Sequence, residues 1–301
     1  MICLLIMEFG VCLPNYGNDI SPDGLKRFAI AAEELGYTSV WTTDHILLNT
    51  ESVSPYKSIL ESVTTLAYIA GSTRRVKLGI SSLIISMRNP IITTKQLATI
   101  DFLSDGRLTV AIGTGWNKEE FFSLGANFHD RGTRTSESIG LIRALWSGKA
   151  NFESAHLKER LSDAIFLPKP VQERLPIWVA GASEAAMSRA ARLGDAWHPN
   201  LYNIGVFEKL VERFREISSE KDKPIYVRAA LSVDPKERSY RDPQGEERPI
   251  LSCSGAGTAE LIERLKEQRI RGVILSQNSS GTRTIGEQIR CITSFAGSYL
   301  Y

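Results

Sequence analysis

The sequence predicts an α/β protein folded as a single (β/α)8 TIM barrel with insertion segments. Short runs of apolar and β-branched residues alternate along the chain with stretches of helical periodicity. Eight such runs are present, and eight parallel strands close a barrel of this kind. The rival architecture is an open doubly wound sheet, which is disfavoured because no GxGxxG sequence follows the first strand.

The predicted strands are short and bounded by turn residues. In chain order they cover 8–13, 39–42, 76–84, 108–112, 176–180, 196–198, 225–232 and 272–275. Helices are predicted between them at 22–35, 58–70, 91–104, 119–124, 131–147, 183–193, 205–219, 258–268 and 285–298. The first helix has the clearest boundaries, because Ser21 suits the N-cap, Pro22 suits the first helical position and Gly36 ends it.

Two segments are too polar and irregular to belong to this alternating pattern. They lie near 149–170 and 234–257, and the second carries Pro235, Pro243 and Pro249 among mixed charges. We interpret this second segment as a surface insertion or a mobile loop. The rest of the pattern is continuous, so one domain is expected over residues 1–301.

The composition is that of an ordinary soluble globular protein. Charged residues make up 23% of the 301 residues, the formal net charge is +2 and the mean hydropathy is −0.12. A charge so close to zero disfavours nucleic acid or an acidic membrane as a partner. No apolar run approaches the roughly 18 residues of a membrane-spanning helix. The four cysteines lack CxxC spacing, which favours a reducing, cytoplasmic setting over a disulfide framework.

The apolar N-terminus, from Met1 to Met7, has no basic segment and stops at Glu8. It is too short to span a membrane and lacks the features of a signal peptide. Two interpretations stay open, a buried extension of the first strand or a start at Met7, and we favour the second.

Small, polar and ring-bearing residues follow the carboxyl ends of the predicted strands, where barrel enzymes place their chemistry. The opposite rim has ordinary turn sequences. The residues in question are Asn15 after the first strand, Asp44 and His45 after the second, Ser81 and Ser82 within the third, Thr114 and Trp116 after the fourth, Gly181, Ala182 and Ser183 after the fifth, and His198 at the end of the sixth. This asymmetry predicts a ligand site on that rim.

Two of these groups suggest chemistry, although each also has a plain structural interpretation. In the pair Asp44–His45 a carboxylate stands beside an imidazole that exchanges protons near neutral pH, but a turn aspartate beside a surface histidine is equally consistent. Gly181 to Ser183 opens a helix, whose first N–H groups can bind phosphate, but an ordinary N-cap at Ser183 is the simpler interpretation. The four histidines have no metal-ligand spacing, so no metal is expected.

Longer motifs resemble the luciferase-like monooxygenase superfamily, and most strongly its branch of probable coenzyme F420-dependent oxidoreductases. The segments that carry the resemblance are FGVCLPNYG (Phe9–Gly17), AEELGYTSVWTTDH (Ala32–His45), RNPIITTKQLATIDFLSDGRLTVAIGTGWNKEEF (Arg88–Phe121), RGTRTSESIGLIRALWSG (Arg131–Gly148) and LPIWVAGASEAAMSRAARLGDAWHP (Leu175–Pro199). The resemblance is weak across 234–256. FMN-using and deazaflavin-using members share the scaffold, so both cofactors stay open.

The resemblance implies a flavin-type cofactor at the carboxyl-end rim, with a role for each residue on it. It implies His45 and Asp44 as catalytic residues, a non-prolyl cis peptide at Ser81–Ser82 behind the ring, and a phosphate turn at Gly181–Ser183. The cofactor-binding set is Asp44, Ser81, Ser82, Thr114, Gly181, Ala182 and Ser183, and the substrate-pocket set is Asn15, Trp116 and His198.

One position departs from the family pattern. Sugar-phosphate dehydrogenase relatives carry a glutamate where this chain has Trp116, which disfavours a sugar phosphate and suggests a more apolar pocket. Glu119 and Glu120 lie nearby, on a helix whose orientation the sequence leaves open.

Three hypotheses follow from the residues and the resemblance. The first is an oxidoreductase that transfers hydride between C5 of coenzyme F420 and a small organic substrate. The second is a monooxygenase that uses O2 and reduced FMN supplied by a partner flavin reductase, and the third is a non-catalytic flavin-binding barrel. A cytoplasmic homodimer is expected in either enzyme case.

Overall fold

The computed structural model describes residues 7–49, 56–148, 151–155, 160–161, 163, 165–232, 234, 236–253, 255–277 and 284–300. Within them the main sheet contains the strands β1 (Glu8–Cys12), β2 (Ser39–Thr42), β3 (Lys77–Ile84), β4 (Leu108–Gly113), β5 (Ile177–Ala180), β6 (Ala196–His198), β7 (Tyr226–Ser232), β8 (Ser239–Arg241), β9 (Glu247–Ser252) and β10 (Gly272–Ser276). The helices of the described residues are α1 (Pro22–Glu34), α2 (Ser62–Ala70), α3 (Pro90–Leu103), α4 (Lys118–Ser123), α5 (Arg131–Ser147), α6 (Glu184–Leu193), α7 (Ile204–Ile217), α8 (Ala256–Glu267) and α9 (Ile285–Tyr299).

The sheet is curled, and its ten strands follow the order β6-β5-β4-β3-β2-β1-β10-β7-β9-β8. The strands from β1 to β7, together with β10, are parallel to their neighbours and match the eight strands predicted from the sequence. Isolated parallel bridges, Trp197 with Ile225 and Asn200 with Arg228, join β6 to β7. The mixed α/β class and the alternation of strand and helix are therefore as predicted.

Most helix boundaries follow from local capping. The Ser21 hydroxyl accepts the N–H of Gly24 and Pro22 is the first residue of α1, which confirms the predicted start. The predicted helix at 58–70 begins later, at Ser62, because the Glu61 carboxylate caps the N–H groups of its first turn. The preceding residues, Ser58–Ile59, form a short antiparallel ladder with Tyr16–Gly17 instead.

Apolar side chains divide between the two faces of the sheet, as strand alternation requires. One cluster lies between the sheet and the surrounding helices and includes Val11, Val40 and Val110. A smaller cluster on the opposite, inner face contains Trp41 and Trp178, whose ring centroids are 4.7 Å apart. These aromatic rings fill the inner face and form a floor beneath the carboxyl ends of the strands.

The segment 234–257, which the sequence analysis interpreted as an insertion or mobile loop, contains an antiparallel hairpin of β8 and β9. β9 also pairs in parallel with β7, so the hairpin extends the main sheet. A buried ion pair between Arg248 and Asp242, 2.7 Å apart, holds the turn. Local composition did not indicate this pairing. β9 lies in a polar, proline-containing segment, whereas its partner β7 belongs to the regular alternation of strands and helices.

Some expectations fall on residues outside the described part of the chain. Residues 1–6 are among them, so neither interpretation of the apolar N-terminus is tested. Parts of 149–170 are also outside it, although Phe152–Glu153 pairs with Arg160–Leu161. No helix of the described residues combines the length and apolar character needed to cross a membrane.

Candidate active site

A cavity of about 1060 Å³ opens at the carboxyl ends of the parallel strands. Almost every rim residue singled out in the sequence lines it: Asp44, His45, Ser81, Ser82, Thr114, Trp116, Gly181, Ala182, Ser183 and His198. Asn15 does not belong to this lining. Its buried side chain donates to the carbonyl and accepts from the N–H of Thr43, so it fixes the loop after β2.

His45 and Glu120 form a buried pair in the cavity wall. His45 Nδ1 lies 2.8 Å from Glu120 Oε2, and the two side chains are 6% and 2% exposed. The other carboxylate oxygen, Oε1, accepts the N–H groups of Ile46 (2.6 Å) and Leu47 (3.1 Å). Because Nδ1 donates to the carboxylate, Nε2 is the nitrogen that can serve a ligand.

Glu120 is ionised in this arrangement. Burial raises the pKa of its carboxyl, but the hydrogen bond and charge of His45 and the two backbone N–H groups outweigh burial and hold the pKa below its ordinary value. The hydrogen bond to this carboxylate fixes the tautomer and the orientation of the imidazole ring. The sequence analysis noted Glu120 but gave it no role, because the orientation of its helix was open; the structure resolves this, with Asn117 as the N-cap of α4 and Glu120 buried against His45.

We expect Glu120→Gln to lower turnover while the fold stays intact, since the amide keeps the size of the side chain and loses its charge. A hydrogen bond to a charged group contributes about 1.5–3 kcal/mol, which corresponds to about 10- to 150-fold in rate. Glu119→Gln is the matched control, because Glu119 is the exposed neighbour on the same helix. The measurement is kcat of both variants, and an equal loss in both would contradict the assigned role.

Asp44 directs its carboxylate into the protein. Oδ1 accepts from Ser62 Oγ at 2.6 Å and from Arg88 at 2.5 Å, and Oδ2 accepts the N–H of Ile84 at 2.9 Å. Both oxygens therefore hold protein groups, and the side chain is fully buried. Asp44 ties the loop that carries His45 to the end of β3 and to α2.

The peptide bond between Ser81 and Ser82 is cis, which confirms the sequence prediction. The register of β3 against β4 shifts between Ser81 and Leu83 at the same point. Gly113 on β4 permits this bulge, because a Cβ there would lie 2.5 Å from Ser82 Oγ. The bulge faces the cavity through Ser81 and Ser82.

His198 supports the bulge from across the sheet. Its Nδ1 lies 2.6 Å from the carbonyl of Tyr226 and so carries the proton, which leaves Nε2, at 2.8 Å, to accept from the Ser81 hydroxyl. Burial lowers the pKa of His198 to about 4, and the charge of Arg228 adds to this effect while the Tyr226 carbonyl opposes it. His198 is thus a neutral support near physiological pH rather than a proton donor.

We expect stability to depend on His198 below neutral pH. Between its ordinary pKa of 6.5 and its folded value of about 4, the unfolded chain binds a proton that the folded chain does not, so acid destabilises the fold. From about pH 7 to about pH 5 this contribution amounts to about 2 kcal/mol of unfolding free energy. Urea titrations of wild type and His198→Gln at both pH values measure it: the variant should lose less stability on acidification, and an equal loss would contradict the assignment.

The turn after β5 is built to expose backbone N–H groups at the start of α6. Gly181 has φ of +109°, a conformation that glycine adopts without strain, and its carbonyl accepts from Trp197 Nε1 at 2.7 Å. Ser183 caps α6 by accepting the N–H of Ala186. Within the described residues, no hydrogen bond uses the N–H groups of Ala182 and Ser183. Ser183 is thus an ordinary N-cap, as the simpler interpretation held, and the N–H groups of Ala182 and Ser183 are still available to a ligand.

Aromatic rings enclose His45. Its ring centroid lies 5.6 Å from that of Trp116 and 4.6 Å from that of Tyr56. Tyr56 was missed in the sequence because it belongs to a loop without periodicity. The hairpin residue Tyr240 and the guanidinium of Arg228 complete this side of the cavity.

Comparison with known proteins assigns the family. The family described as luciferase-like monooxygenase matches residues 7–269. The chain belongs to the luciferase-like monooxygenase family. Among relatives, an F420-dependent glucose-6-phosphate dehydrogenase of Kineococcus radiotolerans is 29% identical over 235 residues, which cover 72% of this chain. An FMNH2-dependent dimethylsulfone monooxygenase of Pseudomonas putida is 28% identical over 216 residues, which cover 70% of it.

These matches span only 66% and 56% of the length of the two relatives. A solved structure of an F420-dependent secondary alcohol dehydrogenase, in complex with an F420-acetone adduct, superposes with a TM-score of 0.75. It is 20% identical, and the match covers 96% of this chain and 99% of that one. This luciferase-like protein therefore shares the fold of that enzyme over nearly its whole length.

Proposed function

We propose that this luciferase-like protein is an F420-dependent oxidoreductase that transfers hydride between the deazaflavin and a small organic substrate, on a closed (β/α)8 barrel. The observation that carries the proposal is that the Ser81–Ser82 bulge, the Gly181–Ser183 turn and the His45–Glu120 pair all line one cavity. The F420-dependent relatives support the cofactor. The bridges from β6 to β7 support closure of the barrel.

Three features of the cavity fit such a cofactor. Its volume of about 1060 Å³ is large enough for a tricyclic ring with a side chain. The free N–H groups of Ala182 and Ser183 at the start of α6 suit a phosphate. Gly113 leaves the bulge at Ser81–Ser82 open as a backing for the ring, with Thr114 beside it. When bound, F420 supplies the hydride chemistry, and the protein supplies position and charge.

The chain's own part in the reaction centres on His45. Its Nε2 can take a proton from a substrate hydroxyl, or return one to a carbonyl oxygen, while Nδ1 stays bound to anionic Glu120. The rings of Trp116 and Tyr56 pack against the imidazole and limit its movement. Asp44 acts through position, because it holds the loop of His45 against β3.

A binding titration tests the proposal. The purified apoprotein is titrated with coenzyme F420 and with FMN side by side, each in its oxidised and reduced forms. Tighter binding of the deazaflavin is the expected result. Binding of neither molecule would contradict any flavin-dependent function, including a non-catalytic flavin-binding role.

A reduced-FMN-dependent monooxygenase is the second candidate, and the dimethylsulfone monooxygenase relative favours it. The same cavity would then serve FMN, O2 and a partner flavin reductase. Preference for reduced FMN in the titration, with oxygen consumption coupled to product formation, would support this candidate over hydride transfer. The homodimer and the cytoplasmic location remain predictions.

A further inference from the structure

Arg228 lies in the wall of the cavity and forms no ion pair with any residue that the structure describes. Its side chain projects from β7, and the guanidinium donates to the carbonyl of Ser81, to Thr43 Oγ1 at 3.0 Å and to Ser276 Oγ at 3.1 Å. A fourth acceptor, Ser81 Oγ, lies 3.4 Å from the guanidinium, and all four acceptors are neutral. No carboxylate of the described residues lies within ion-pair distance of it.

The carboxylates that line the same cavity are engaged elsewhere. Each has a partner other than Arg228: Asp19 accepts the N–H of Ile285, Asp44 binds Arg88, Glu120 binds His45, Glu237 binds Ser232 and Asp242 binds Arg248. Burial raises the pKa of Tyr16 to about 12 and also raises that of Tyr56, although the charge of Arg228 opposes both shifts, so neither phenol adds a negative charge. Within the described part of the chain, Arg228 therefore has no carboxylate as a direct partner.

Withdrawing a charge from water without a partner destabilises a fold, so such a charge is best explained by a ligand that supplies the partner. We infer that Arg228 binds the carboxylate of the substrate, and that the substrate is a small organic acid. This inference deepens the proposed function and rests on it for the reaction, but the anion site itself stands on the cavity alone.

A single carboxylate matches the site better than a more highly charged anion. Arg228 offers one positive charge, and the hydroxyl of Thr43, which accepts from the guanidinium, keeps its own hydrogen for the same anion. Of the other cations in the wall, Arg248 is paired with Asp242, and Lys57 and Arg241 are exposed. A dianionic phosphate would therefore find too little positive charge around Arg228.

The position of Arg228 relates the carboxylate to His45. The guanidinium binds the hydroxyl of Thr43, two residues before His45, and both Arg228 and His45 line the cavity. A small acid held by Arg228 would therefore lie beside the loop that carries the imidazole, within the same cavity. In this arrangement Arg228 recognises the substrate carboxylate and His45 transfers the proton.

Calorimetric titration with a matched pair of probes tests the inference. Propanoate and propanamide have the same shape and differ in charge, and inorganic phosphate serves as the third probe. We expect propanoate to bind the purified protein at least about tenfold more tightly than propanamide, because a charged hydrogen bond is stronger than a neutral one. We expect Arg228→Gln to abolish this preference and Arg228→Lys to keep part of it.

Arg241→Gln is the matched control, since Arg241 is an exposed cation of the same wall. Equal affinity for propanoate and propanamide in the wild type, or an unchanged preference in Arg228→Gln, would overturn the inference. If Arg228→Gln does not fold, Arg228→Lys takes its place. Equal affinities of Arg228→Lys for propanoate and propanamide would then overturn the inference. Tighter binding of phosphate than of propanoate would overturn the assignment to a carboxylate.

F420 binding, measured separately on the same samples, distinguishes the two proposals. Wild-type protein that binds F420 without preferring propanoate contradicts the acid substrate alone. Protein that prefers propanoate through Arg228 but does not bind F420 contradicts the proposed function and supports the anion site.

Discussion

Replacing His45 with glutamine is expected to lower kcat by about 10²- to 10⁴-fold, the range that positioned acid–base groups contribute. The glutamine amide can still donate to Glu120, so the pair and the local fold are preserved, while the titratable nitrogen facing the cavity is lost. Affinity for F420 should stay within about twofold, since the residues proposed to hold its phosphate lie on a different strand end.

The measurement is steady-state kinetics with F420 and an accepted substrate, together with a cofactor titration of each variant. His129→Gln is the control, because His129 is an exposed histidine away from the cavity wall. Unchanged turnover in His45→Gln would remove His45 from the mechanism. A parallel loss of F420 affinity would instead make it a cofactor ligand.

Asp44→Ala is expected to cause the largest loss of stability, about 3–5 kcal/mol of unfolding free energy, because it breaks a buried ion pair from one side. Arg88, only 10% exposed, would keep its bond to Glu61 but lose the carboxylate oxygen at 2.5 Å. The Ser62 hydroxyl and the N–H of Ile84 would also lose their acceptor.

Urea unfolding near neutral pH measures this loss, with two variants for comparison. Asp23→Ala should change the unfolding free energy by less than about 1 kcal/mol, because its pair with Arg27 is exposed. Asp44→Ala combined with Arg88→Met should recover part of the lost stability, since it removes the stranded cation. A loss in Asp44→Ala no larger than that in Asp23→Ala would show that Asp44 does not hold the loop.

The strand ends of this fold were readable from the sequence because two independent patterns agree there. A short run of apolar and β-branched residues predicts each strand, and polar residues directly after it mark the rim. Ser81–Ser82 illustrates the agreement, since a pair of serines interrupts an otherwise apolar strand, and the register shift and cis bond occur at that point. Capping chemistry likewise fixed the start of α1 at Ser21 and Pro22.

The partners of the site residues were not readable, because they depend on side-chain direction across long distances in the chain. Glu120 is 75 residues from His45, and Arg228 is 147 residues from Ser81. An arginine within a strand does not reveal which face it occupies until the curvature of the sheet is known. The adjacency of Asp44 and His45 suggested that they act on each other, but the two side chains bind different partners.

A crystal structure of the protein with coenzyme F420 tests the assignment of the cavity most directly. We expect the deazaflavin ring against Ser81–Ser82, its phosphate within hydrogen-bond distance of the N–H groups of Ala182 and Ser183, and His45 Nε2 facing the space beside the ring. A phosphate bound away from this turn, or a ring bound away from the bulge, would contradict the assignment of the cavity as an F420 site.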